Sequence, residues 1–153
     1  NGGMRNMVNF RRLKLGDLDR IYKDPELRPL ITASYKDKGN SFAIIVELND
    51  KIIGGASGYA LENLAFMKNV IVKDVEQRSL YVDGLLRSLI HFLELDGLEF
   101  LFVEGDSPIY SSIGFHKFQG TEKFLCECKK MLPDKKNIQW INVKSFFQQQ
   151  KCE

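Results

Sequence analysis

The centre of the chain carries the pattern that most restricts its fold: an apolar run, an amphipathic helical stretch, then a second apolar run. Ala65 to Val72 and Leu98 to Val103 are dominated by residues that suit a pleated strand. Between them Leu85, Leu86, Leu89, Ile90 and Leu93 recur at helical spacing and define one buried face. Asp96-Gly97 stops that helix, because glycine enters the left-handed position after a last turn without a Cβ penalty. A strand, helix, strand unit of this kind makes its two strands parallel neighbours through a right-handed crossover.

The flanking segments read as antiparallel. Phe42 to Leu48, the turn Asn49-Asp50-Lys51 and the run Ile52 to Tyr59 form a hairpin. Gly54, Gly55 and Gly58 weaken its second strand and mark a bulge or a close backbone approach. Ala65 to Val72 extends the hairpin as a third strand. Upstream, Phe10 to Lys14 is a short strand and Gly16-Asp17 a turn. Asp17 is placed to cap a helix carrying Leu18, Ile21 and Tyr22 on one face. Pro25 and Pro29 break the helical region, which runs to about Tyr35, and Lys36 to Asn40 is a loop. Downstream, Phe115 to Phe118 and Phe124 to Leu132 are strand-like. No element is assigned beyond Pro133, and Gln148 to Gln150 read as a frayed end. The sum is an α+β (mixed α/β) fold: a central, mostly antiparallel sheet with one parallel strand pair joined by a crossover helix.

With 153 residues, 44% of them hydrophobic, the chain fits one domain around one core, residues 1–153. Asn1 to Gly3 read as a remnant ahead of a native Met4, and residues 133–153 as a C-terminal extension. A net charge of +2 with scattered basic residues argues against nucleic acid as a partner. No apolar stretch approaches the roughly 20 residues of a membrane span, and the start lacks the basic and apolar segments of a signal peptide. Three cysteines cannot all pair with one another, which fits a reduced, cytoplasmic chain. Cys126 and Cys128 flank Glu127, but zinc needs four ligands and the only histidines are His91 and His116, so no metal site is expected.

One stretch carries chemistry. Val103-Glu104-Gly105-Asp106-Ser107-Pro108-Ile109-Tyr110-Ser111-Ser112-Ile113-Gly114-Phe115 reads as a strand end, a tight turn, one helical turn, and Gly-Phe opening the next strand. With its tyrosine four residues before Gly-Phe, it resembles the second signature of the GNAT superfamily, the acyl-CoA-dependent N-acetyltransferases. The turn before the tyrosine is similar to that of small bacterial GNAT proteins known only as predicted acetyltransferases. The order of elements matches that superfamily from Phe10 to about Leu132.

The resemblance implies acetyl-CoA as co-substrate and Tyr110 as the general acid that protonates the leaving thiolate. It also implies a loop of backbone N–H groups leading into a helix N-terminus, which holds the coenzyme's pyrophosphate. Val72-Lys73-Asp74-Val75-Glu76-Gln77 matches the valine and Gln/Arg positions of that loop, and Gln77, Arg78, Ser79, Leu80, Tyr81, Val82 and Asp83 fill its remainder. The family's glycine positions fall on Leu80 and Val82, where close approach and positive φ are harder, and Asp83 is expected at the helix start as its cap. Lys73, Arg78 and Arg87 are the cations that would offset its charge. The family's third strand bulges away from its parallel neighbour, and Asn69-Val70-Ile71-Val72 occupies the position that pairs with the pantetheine amides.

Ala65 to Val72 carries no acid, so the general base falls to Glu104, with Asp106 and Glu62 as alternatives. The acceptor side is expected from Tyr22, Tyr35, Asp24, Glu26 and Arg28. The resemblance thus implies an N-acetyltransferase acting on a small-molecule amine or a protein amino group, and it leaves room for a homodimer. The alternative is a catalytically impaired GNAT-fold binding or regulatory protein with weak or no acetyl-CoA binding.

Overall fold

The computed structural model describes residues 7–32, 40–120, 122 and 137–151. Strand β1 (Val8–Arg12) leads through a tight turn into the short helices α1 (Leu18–Lys23) and α2 (Pro29–Thr32). Strands β2 (Asn40–Leu48), β3 (Lys51–Leu61) and β4 (Leu64–Val72) follow as an antiparallel meander. Helix α3 (Arg78–Leu95) then crosses over to β5 (Phe100–Glu104), parallel to β4. The chain continues through α4 (Pro108–Ile113), β6 (His116–Lys117), β7 (Ile138–Asn142) and α5 (Val143–Lys151). The seven strands form one sheet in the order β1-β2-β3-β4-β5-β7-β6. Every pair except β4–β5 is antiparallel.

The helical periodicity found its sheet. Leu85, Leu86, Leu89, Ile90 and Leu93 of α3 are buried against Ile44, Val46, Ile53, Leu101 and Val103. Burying each such side chain contributes about 1.5–3 kcal/mol, which fixes the crossover helix on this face. Gly84 brings α3 close to β1: a Cβ there would lie 2.5 Å from the Phe10 ring. On the opposite face Ile21, Leu27 and Leu30 of the α1–α2 region cover Ile45 and Ile52. Beside them Tyr59, Phe66 and Phe102 stack across three strands, with ring centroids 5.0 and 5.4 Å apart.

Three expectations are corrected. Asp17 does not cap α1 with its side chain; its carboxylate accepts from Arg11 twice, from Arg20, and from the Lys14 backbone N–H. Two cations near a buried acid outcompete an exposed helix end. Beyond Pro133 the chain adds β7, which enters the sheet between β5 and β6, and α5, so Gln148 to Gln150 lie in a helix rather than a frayed end. The parallel strand begins at Phe100, because Leu98 packs into the core while the chain leaves the α3 terminus. The expected strand Phe124 to Leu132, with Cys126 and Cys128, lies outside the described residues. Among the described residues no helix is long and apolar enough to cross a membrane.

Candidate active site at a fork between parallel strands

Strands β4 and β5 pair at Leu64 with Phe100, Ala65 with Leu101 and Phe66 with Phe102, and there the ladder ends. The reason lies in β4. Opposite Ser57 and Gly58 of β3 stand Asn69 and Met67, which leaves Lys68 as the extra residue of a bulge. Gly58 makes it feasible, since a Cβ at that position would collide with the Phe66 carbonyl. Past the bulge β4 stays paired with β3 as far as Val72, but its other edge turns away from β5. The result is a V-shaped fork with an open strand edge. The carbonyl of Val72, at its far end, accepts from Arg78 Nε at 2.7 Å.

Strand alternation distributes chemistry to the two faces of the fork. Phe102 belongs to the aromatic face and Val103 to the α3 face, so Glu104 returns to the aromatic side. There Lys68 Nζ donates to Glu104 Oε1 at 3.1 Å, with the two side chains 29% and 33% exposed. Tyr110 lies on the α3 side, buried with Met67, Val103, Ile113 and Phe115. Its ring meets Phe115 edge-on at 5.4 Å. Burial pushes the Tyr110 hydroxyl above its ordinary value, so it is protonated at neutral pH.

The spacing from Tyr110 to Gly-Phe now has a physical reading. Pro108 opens α4, and the helix closes on the tyrosine's own carbonyl, which accepts from Gly114 N–H at 3.1 Å and Phe115 N–H at 2.9 Å. Gly114 takes φ 124°, open to glycine, and turns the chain back to the sheet. Gly105, at φ 115°, does the same after β5, and its carbonyl accepts from Gln139 Nε2 at 2.8 Å.

At the other end of the fork, α3 starts at Arg78, and Gln77 just before it is left-handed at φ 61°. The Gln77 carbonyl accepts from the N–H groups of Leu80 and Tyr81. Those of Arg78 and Ser79 precede the first hydrogen-bonded helical donor, Leu80, and point out of the helix end. A groove of about 630 Å³ runs from this end to α4, lined by Arg78, Ser79, Leu80, Val82 and Asp83 on one side and Ser107 to Ile109 on the other.

No protein-family model matches the sequence, and neither does any curated protein. Solved structures do. The chain is similar to an acetyltransferase of the GNAT family from Staphylococcus aureus Mu50, at 13% identity and TM-score 0.66, over 90% of this chain and 100% of that one. It is similar to a GNAT family acetyltransferase from Brucella melitensis in complex with acetyl-CoA, at 16% identity and TM-score 0.59, over 89% and 88% of the two chains. It is also similar to the ribosomal-protein-S18-alanine N-acetyltransferase of Escherichia coli, at 18% identity and TM-score 0.61, over 90% and 94%. The chain has the GNAT fold.

On that GNAT frame the expected residues separate. Asn69, Val70, Ile71 and Val72 form the open edge of the fork, although the Asn69 side chain turns to Ser57 Oγ at 3.3 Å. Arg78, Ser79, Leu80, Val82 and Asp83 line the groove, while Gln77 is exposed beside it. Tyr81 does not join them; it is buried in the core under α3. Leu80 and Val82 sit within the helix at ordinary negative φ, so the missing glycines strain nothing. Asp83 is well inside α3 rather than at its start, and pairs with Arg87 at 2.9 Å. Of the three offsetting cations, Lys73 is drawn to Asp24 and Arg87 to Asp83, which leaves Arg78 at the groove.

Among the bases, Glu104 stands at the fork and Asp106 is exposed in the following turn. Glu62 is in the β3–β4 turn, at the closed end of the parallel pair. His116 is exposed against Trp140, 4.9 Å between rings, and His91 is on the outer surface of α3 near Phe147. On the expected acceptor side Arg28 stacks on Tyr22 at 4.9 Å, Asp24 is held by Lys73, Glu26 is exposed, and Tyr35 lies outside the described residues. Tyr22 also lines a cavity of about 960 Å³ with Leu13, Ile31 and Phe42. Sequence reasoning missed Lys68. Its signal was a lone charge inside the apolar run from Ala65 to Val72.

Proposed function

We propose that the protein is an acetyl-CoA-dependent N-acetyltransferase that passes an acetyl group to a primary amine, on a small molecule or a protein, by direct attack. The fork carries this reading: an open strand edge with a buried, protonated phenol on one face and a carboxylate on the other. The open edge from Asn69 to Val72 offers backbone groups to the amides of a pantetheine arm, as an added strand would. The first turn of α3, with Arg78, faces the pyrophosphate with N–H groups and the positive end of the helix dipole.

The chemistry divides between the faces. Attack needs a neutral amine, and Glu104 is the carboxylate placed to take its proton. The C–S bond breaks toward the sulfur, and Tyr110 supplies the proton that the thiolate needs. Neither residue has to move across the sheet. The similar Brucella structure holds acetyl-CoA, and the similar E. coli enzyme acts on a protein amino group, which supports both halves of the reading. The non-catalytic alternative draws on Asp83, whose carboxylate lines the groove meant for a diphosphate.

Calorimetric titration with acetyl-CoA, followed by an amine panel with detection of free thiol, tests the proposal. Binding with thiol release supports it. Binding without release from any amine favours the non-catalytic reading, and absence of binding overturns the transferase altogether.

A further inference from the structure

The Lys68–Glu104 pair is an amine and a carboxylate held together at the mouth of the fork, the same two groups that amine acetylation requires. Lys68 is the bulge residue, two positions past the last β4–β5 pair, and its side chain reaches across the opening to β5. An ordinary strand residue would point along its own face beside a paired neighbour. The extra residue has no opposite partner on β3, and its side chain spans the gap instead. From the acetyl-CoA reading above, on which this inference rests, we propose that the protein acetylates itself on Lys68 Nζ.

The step balances within the site. Glu104 takes one proton from the Lys68 ammonium, and the neutral nitrogen attacks the thioester carbonyl. The N–C bond forms as the C–S bond breaks, with the electron pair going to sulfur. Tyr110 protonates the thiolate from the opposite face, and its phenolate recovers a proton from the nitrogen through solvent. Glu104 releases its proton to water, so the net products are an acetylated lysine, free coenzyme A and one proton. The lysine is tethered, so no second molecule has to be captured. Intramolecular placement of this kind replaces an encounter with a fixed geometry.

The test is incubation of the full chain with acetyl-CoA and no added amine, followed by intact mass and peptide mapping. One acetyl group per chain on Lys68 is expected, saturating with acetyl-CoA. Lys68→Arg keeps the charge and removes the acceptor, so its mass should not change. Tyr110→Phe should acetylate Lys68 at least about 100-fold more slowly. Parallel calorimetry and an amine panel separate the two claims. If acetyl-CoA binds and an outside amine is acetylated while Lys68 stays unmodified, self-acetylation is overturned and the transferase stands. If acetyl-CoA does not bind, both fall. Labelling of Lys68 no faster than in the urea-unfolded chain would show ordinary solution reactivity and also overturn the proposal.

Discussion

Among the described residues, two cation–carboxylate clusters join neighbouring strands, one at the β1–β2 edge and one at the fork. At the edge, Arg11 donates to Asp17 and to Glu47 of β2, and Arg20 adds a third cationic contact. The Asp17 side chain is 5% exposed, and β1 and β2 are paired along the whole of β1. The Arg11 hydrogen bonds hold the Asp17 carboxyl well below its usual range, outweighing the cost of burial. At the fork, Lys68 donates to Glu104 over an opening where the ladder has ended. A saturated, desolvated cluster resists exchange and serves the scaffold. A wetter pair across a gap, with both side chains about a third exposed, exchanges partners more readily.

The largest break in that comparison is predicted at the opposite face of the fork. Tyr110→Phe keeps the ring that packs on Phe115 and removes only the proton donor. The chemical step should slow by roughly 10²–10⁴-fold with acetyl-CoA affinity nearly unchanged. Single-turnover kinetics beside calorimetry check both halves; an unchanged rate would assign Tyr110 to packing alone.

Next in size is Asp17→Ala. Removing the acid takes away the main partner of Arg11 while Glu47 remains as the second, so the loss should be about 1.5–3 kcal/mol, the range for hydrogen bonds to charged groups. Lys68→Ala at the fork should cost less than about 1 kcal/mol, because both side chains there are about a third exposed. Urea unfolding of the two variants measures the contrast. Equal losses would remove the distinction between scaffold and site.

Acid sharpens the same contrast. Asp17, Glu47 and Asp24 are all lowered in the folded protein, by Arg11 for the first two and by Lys73 for the third. For a lowered carboxylate the stabilisation is present above the unfolded value, about 4, and is lost as pH falls through the folded one. Stability should therefore hold from neutral pH down to about 4 and then decline. Asp17→Ala should flatten that decline in unfolding curves taken at successive pH values, whereas Lys68→Ala should leave it in place.

Much of the scaffold was legible because periodicity encodes it. The crossover helix, the hairpin glycines and the parallel pair each follow from spacing and steric limits. Strand β7 was not, because its alternation is hidden: Ile138 and Gln139 are both buried, the glutamine by its bond to Gly105. It also enters the sheet out of chain order, which no local pattern records. At the site, the spacing from Tyr110 to Gly114-Phe115 was legible, and the helix that closes on the Tyr110 carbonyl is its physical counterpart. Lys68 was not, since a bulge depends on two strands together. The helix start was only partly legible, for a different reason. Leu80 and Val82 were read as making close approach and positive φ harder and Asp83 as the helix start, but α3 begins at Arg78 and the left-handed residue is Gln77.

The smallest predicted effect asks which end of the site holds the coenzyme. Leu80 and Val82 are helical, so replacing them with glycine would weaken α3 by up to about 1 kcal/mol each and relieve no strain. Asp83 is the informative position. It lines the groove and is paired with Arg87, so Asp83→Asn removes one negative charge and frees a cation without changing size. A unit charge several ångströms from a diphosphate in a wet groove is worth under about 1 kcal/mol, so acetyl-CoA should bind about three-fold more tightly. The gain should shrink at high salt, where exposed charges are screened. S-acetylpantetheine, which lacks the diphosphate, should bind the variant and the parent chain alike if the fork edge supplies most of the contact. Calorimetry with both ligands at two salt concentrations decides it. A gain beyond about 30-fold for acetyl-CoA would move the dominant contact from the fork to the groove, and an equal gain for both ligands would show that Asp83 acts on the shape of α3 rather than through charge.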